Sequence, residues 1–120
     1  DRVFIDSPCT GLGTLRRHAD IRWRLRPETI AESAELDARL LESAASHVAP
    51  GGILAYATCT VTHEENADAV EAFLATEAGA AFEVVPCRNL DLDIELPFFS
   101  TVLEPGGPDA HFLALLRRKA

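Results

Sequence analysis

Two cysteines close two similar stretches of this 120-residue sequence. Asp6-Ser7-Pro8-Cys9-Thr10-Gly11 follows the short apolar run Val3-Phe4-Ile5, and Thr58-Cys59-Thr60 follows the run Ile53 to Ala57, which Pro50-Gly51-Gly52 releases from a turn. Cysteine is the most capable soft nucleophile at neutral pH, provided its thiolate is stabilised. A pair at two strand ends suits a nucleophile with an assisting thiol, a redox pair, half of a metal site, or two inert cysteines buried as small apolar groups. A redox pair usually has the close C-x-x-C arrangement, which neither cysteine has. Zinc would require two further ligands, and although His63 and His18 are of the right type, their spacings match no common zinc signature. Asp6, three residues before the first thiol, suits a cap on the following turn. Cys87 stands outside both motifs and reads as structural.

The charge pattern adds a second signal. Net charge is -8, which taken alone argues against a nucleic-acid partner. Yet Arg16, Arg17, Arg22, Arg24 and Arg26 crowd between Thr14 and Pro27 with His18, Trp23 and a single acid, Asp20, whereas Arg39 is the only Lys or Arg from Glu28 to Glu83. A basic loop on an acidic body can hold a phosphate backbone locally. Trp23 suits a stacking platform for a base or a core anchor for that loop. Three cysteines are an odd count without disulfide-scaffold spacing, so the thiols are expected reduced and the protein cytoplasmic. The 48% hydrophobic and 25% charged composition, with no long uncharged apolar run, describes a globular domain and no membrane span.

The elements that must position these residues follow from periodicity. Val3 to Asp6 reads as a strand and Thr14 to Pro27 as irregular backbone, with a turn or short helical piece at Asp20 to Trp23. From Pro27 a helix carries Ile30, Ala34, Ala38, Leu41, Ala45 and Val48 on one face until Pro50-Gly51-Gly52 ends it. A buried strand from Ile53 leads to Cys59. Thr62 and Glu65 then form a capping-box pattern for a second helix that buries Ala67, Val70, Phe73 and Leu74 and stops by Gly79. Phe82 to Val85 is a third strand, ended by Pro86. Leu90, Leu92, Ile94 and Leu96 alternate with Asp91, Asp93 and Glu95, a strand-like or extended surface segment. After the turn Pro105-Gly106-Gly107-Pro108, His111 to Leu116 is the last strand. This order predicts an α/β fold, the C-terminal half of a Rossmann-like sheet with flanking helices and a terminal hairpin. Two parallel neighbouring strands would bring both thiols to one edge, where ligands collect in such sheets. Gly11-Leu12-Gly13 lacks the rest of a dinucleotide fingerprint and reads as loop geometry on the substrate side.

Asp6 to Thr14 with Arg16, Arg17, Asp20, Ile21 and Trp23, then Pro50-Gly51-Gly52, Tyr56, Thr58-Cys59-Thr60 and Glu64-Glu65-Asn66, together resemble the catalytic half of the Sun/Fmu (NOL/NOP/Sun) family of RNA (cytosine-5) methyltransferases. The resemblance covers roughly residues 1 to 85 and the final strand. It implies a class I methyltransferase sheet and methyl transfer from S-adenosylmethionine to carbon 5 of cytosine in ribosomal or transfer RNA. In the family the cysteine at the position of Cys59 is the nucleophile, the one at Cys9 assists product release, and the aspartate at Asp6 lies at the donor and target-base pocket. Arg16, Arg17, Arg22, Arg24 and Trp23 would contact RNA. Tyr56 would be core, and the Glu64-Glu65-Asn66 segment would support the active-site edge. Ser7 replaces the usual Ala, and Thr10 and Thr60 replace Ser. The usual Asp-Gly-Phe-Phe reads Asp109-Ala110-His111-Phe112, which suggests a reshaped loop. Residues 1–120 would then be a partial catalytic domain without its N-terminal, cofactor-binding half, inactive and weak in donor binding when isolated. The alternative is an RNA-binding or ribosome-assembly module that keeps the fold without catalysis.

Overall fold

A computed structural model describes residues 1–89 and 93–120 of the chain. Its main sheet runs in the order β1 (Arg2–Asp6), β2 (Ile53–Thr58), β7 (Phe112–Arg118) and β3 (Phe82–Val85), and the short β6 (Phe99–Ser100) also pairs with β7. The first two strands are parallel, and β7 lies antiparallel between β2 and β3. A separate two-stranded ribbon joins β4 (Cys87–Asn89) to β5 (Ile94–Leu96). Among the described residues the α-helices are α1 (Ile21–Arg24), α2 (Pro27–Ala45) and α3 (Ala67–Leu74). Leu90, Asp91 and Leu92, part of the alternating acidic segment, lie outside the described residues.

Strand alternation decides which face is filled. In β2, Leu54, Tyr56 and Thr58 point inward, opposite Leu116, Ala114 and Phe112 of β7. Leu41, Ala45 and Val48 from α2 and its C-terminal turn, with Val70 and Phe73 from α3, close over them. Both helices therefore cover the same face, as the period-two and period-3.6 patterns require. On the other face Phe4, Ile53, Ala55 and Leu115 border a shallow cavity of about 400 Å³. Phe4 is 65% exposed on the sheet's edge strand.

Three local expectations are corrected. The long helix ends at Ala45, ahead of Pro50, because Ser46 Oγ (2.7 Å) and His47 Nδ1 (2.9 Å) both approach the Ser43 carbonyl and close the last turn. Its inward stripe passes through Asp37, which is fully buried, whereas Ala38 is exposed. The second helix begins at Ala67, with Asn66 at its N-cap, so the Thr62–Glu65 pattern is no capping box. Glu65 turns inward instead.

Candidate active site

Parallel pairing of β1 and β2, with Asp6 opposite Ala57, carries the two cysteine loops to one sheet edge. The Ser7 N–H extends the pairing by donating to the Ala57 carbonyl at 2.9 Å. Beyond it, the Cys9 and Cys59 sulfurs lie 3.3 Å apart. Gly13 stitches the loops from the side: its N–H donates to the Cys59 carbonyl (2.9 Å), and its own carbonyl accepts from the Ala110 N–H (3.0 Å). A Cβ at Gly13 would sit 2.2 Å from the Ala110 carbonyl oxygen, so the close approach demands glycine. Gly11, with φ +73°, supplies the left-handed turn before it. Both glycines thus serve loop geometry, and Gly13 has no free amide for a phosphate.

Burial pushes the Cys9 thiol up to about 12, only partly opposed by backbone groups of Cys59 and Gly11. Cys9 is therefore protonated at neutral pH, and either sulfur can be the donor in the contact between them.

Under the thiols lies a carboxylate that sequence reasoning placed at a helix start. Glu65 is 0% exposed. Its Oε1 accepts the Thr10 N–H (2.7 Å), and its Oε2 accepts the hydroxyls of Thr10 (2.7 Å), Thr60 (3.2 Å) and Thr62 (2.5 Å). The Thr10 and Thr60 hydroxyls, each belonging to the residue after a cysteine, are also 2.7 Å from one another. Asn66 continues the support, its Nδ2 donating to the Thr60 carbonyl (3.1 Å) and its Oδ1 accepting from Thr58 Oγ1 (2.5 Å). The side-chain hydroxyls at 10 and 60, present as Thr, are what this network uses.

Asp37 was also missed. It accepts a hydrogen bond from Ser7 through Oδ1, while Oδ2 has no partner. The neighbouring Tyr56, a fully buried core residue as expected, donates its proton to the Glu65 carbonyl at 2.6 Å. Burial raises the Asp37 carboxyl above its ordinary range despite the hydroxyls beside it. The only sequence signal was an acid on the inward side of an amphipathic helix.

The other predicted site residues spread along the same edge and its flanks. Asp6 ends β1 with its side chain exposed. Arg24 and Cys9 line one cavity of about 190 Å³ with Thr10, Ile21, Leu25 and Thr29. Arg24 also pairs with Asp20 at 2.7 Å. Trp23 is 79% exposed, so it is no core anchor, and the Arg22 guanidinium sits 4.9 Å from its ring centre. Arg16 and Arg17 are already engaged with the last loop: Arg16 donates to the Gly107 (2.6 Å) and Glu104 (3.0 Å) carbonyls, and Arg17 pairs with Asp109 at 2.6 Å. On the other side of Thr60 opens a cleft of about 710 Å³, walled by Val61, Phe98, Val102, Leu103 and Phe112 with His63 at its border. Among the described residues no three His, Cys, Asp or Glu side chains gather as a metal site, and no helix is long and apolar enough to cross a membrane.

The chain is similar to known proteins over most of its length. The family model described as 16S rRNA methyltransferase RsmB/F matches residues 1–119. Ribosomal RNA small subunit methyltransferase B of Klebsiella pneumoniae (strain 342) is 49% identical over 75 residues, 62% of this chain and 17% of the relative. The protein of that name from Salmonella newport (strain SL254) is 47% identical over 81 residues, 68% of this chain and 19% of the relative. The chain thus spans under a fifth of the curated relatives it matches. The crystal structure of PH0851 superposes with a TM-score of 0.83 at 35% identity, covering 98% of this chain and 26% of that one. A methyltransferase homolog protein from Pyrococcus horikoshii gives 0.75 at 27% identity, covering 98% and 39%.

Proposed function

Because the chain belongs to the 16S rRNA methyltransferase RsmB/F family, we propose that the protein containing it methylates carbon 5 of a cytosine in ribosomal RNA. Cys59 is the nucleophile and Cys9 the thiol that assists product release. The observation that carries this reading is the pair of sulfurs 3.3 Å apart at the ends of two parallel strands.

Carbon 5 of cytosine is a poor nucleophile within the aromatic ring. Addition of the Cys59 sulfur to carbon 6 forms a carbon–sulfur bond and turns the ring into an enamine, which divides one hard step into easier ones. S-adenosylmethionine, when bound, supplies the methyl group. A water positioned beside Cys9 takes the carbon 5 proton, the electron pair of that C–H bond restores the ring double bond, and Cys59 leaves as a thiolate. Cys9, protonated while it touches Cys59, takes part only once that contact is broken. A pyrimidine between the sulfurs needs a contact of about 3.5 Å on each side, so the thiols must part as the unstacked base enters.

Asp6 suits the donor, since an exposed carboxylate at the end of a strand complements a sulfonium and sits where such sheets bind ligands. Gly11-Leu12-Gly13 does not, because its geometry is spent on joining the cysteine loops. The exposed edge strand β1 is where the N-terminal half of the catalytic domain would pair, and we assign the rest of the donor site to that half. Arg22, Arg24 and Trp23 offer RNA two guanidinium groups and a ring for stacking, and Arg16 and Arg17 brace the loop that carries them.

The direct test is nucleoside mass spectrometry of ribosomal RNA treated with the full-length protein and S-adenosylmethionine. We expect 5-methylcytidine with the wild type and none with Cys59→Ala. An RNA-binding or assembly module without catalysis would retain RNA yet leave it unmethylated.

A further inference from the structure

We propose that Glu65 is a positioning residue that clamps the two cysteine loops together, so that the site opens by rotation of the cysteine side chains while the loops stay joined. The catalytic part of this inference rests on the methyltransferase reading above. Its structural part does not.

The carboxylate sits fully buried and bonds to both loops at once, taking the backbone N–H and the hydroxyl of Thr10 on one side and the hydroxyls of Thr60 and Thr62 on the other. Among the described residues no Lys or Arg pairs with it. A buried carboxylate compensated only by hydrogen bonds persists where every bond is made, and such fully satisfied networks rigidify what they join. One further link runs in parallel, from the Gly13 N–H to the Cys59 carbonyl. The residue after each cysteine is thereby held, and the freedom left at Cys9 and Cys59 is that of their own side-chain torsions. Parting the sulfurs from 3.3 Å to admit a ring is therefore a rotamer change. A clamp of this kind sets the geometry of the reacting groups without touching substrate, and displacements on the order of 1 Å at such sites cost about 10²-fold in rate.

The experiment uses the full-length protein, Glu65→Ala and the isosteric Glu65→Gln, with two readouts. The first is oxidation by hydrogen peroxide without RNA: the Cys9 and Cys59 thiols give up two electrons and two protons, one S–S bond forms, and the peroxide becomes two waters. Clamped thiols in contact should couple rapidly, and Glu65→Ala should slow coupling at least about tenfold, with Glu65→Gln in between because it keeps one acceptor. The second is methyl transfer, where kcat should fall about 10²-fold with KM for RNA nearly unchanged. Wild-type coupling and wild-type kcat in a folded Glu65→Gln or Glu65→Ala variant would overturn the proposal, as would an effect confined to KM. Slowed coupling in a protein whose wild type methylates no RNA would support the clamp and refute the methyltransferase reading instead.

Discussion

Cys9 and Asp37 show how one physical effect, burial, has different uses at different positions. At Cys9 it keeps a proton on the thiol that faces Cys59. At Asp37 it leaves Oδ2 without a partner in the core and raises the carboxyl above its ordinary value near 3.8. With the folded-state value raised, the folded protein holds the proton more tightly than the unfolded chain. Asp37 therefore contributes its full stability below the ordinary value, and that contribution is lost as pH rises through the raised one. Asp37→Asn keeps an acceptor for Ser7 and carries no charge, so it should stabilise the protein at pH 7 by about 1–2 kcal/mol, with the gain vanishing towards pH 3. Thermal unfolding of both proteins at the two pH values measures this, and an unchanged or lower midpoint for Asp37→Asn at pH 7 would contradict it. The cysteines were legible in the sequence because strand ends and turn residues flank them. Glu65 and Asp37 were not, because an acid near a helix start or on a helix face normally looks outward, and only tertiary contacts reveal the donors waiting inside.

At the scale of elements, the parallel pairing of β1 and β2 follows from two apolar runs joined by a helix, since such a connection spans parallel neighbours. The strands Phe82–Val85 and Phe112–Arg118 were likewise visible in their apolar patterns. The early end of α2 and late start of α3 were hidden because side-chain bonds from Ser46, His47 and Glu65 override the periodic signal. The basic loop also divides in a way that composition cannot show. Arg16 and Arg17 are tied to the loop from Glu104 to Asp109, whereas Arg22 and Arg24 lie on α1 beside Trp23 and the Cys9 cavity. Replacing Arg22 or Arg24 with Ala in the full-length protein should weaken binding to different RNAs by similar factors and lower the salt slope by about one for each phosphate no longer neutralised. Arg17→Ala should act mainly on thermal stability. Filter binding across a salt series separates the two sets, and an unchanged slope for Arg22→Ala and Arg24→Ala would remove α1 from the RNA surface.

The whole molecule is a sheet covered by helices on one face, with an exposed edge strand and a partly open second face. The chain belongs to the 16S rRNA methyltransferase RsmB/F family and spans under a fifth of the curated relatives it matches. The proposed reaction turns on one event at the sheet edge, the bond between the Cys59 sulfur and the pyrimidine ring. The most direct measurement is a denaturing gel of the full-length protein incubated with its RNA and S-adenosylmethionine, comparing wild type, Cys9→Ala and Cys59→Ala. A covalent protein–RNA band should accumulate in Cys9→Ala, where release is impaired, and be absent from Cys59→Ala. A band of equal intensity in Cys59→Ala would contradict the assignment of the nucleophile.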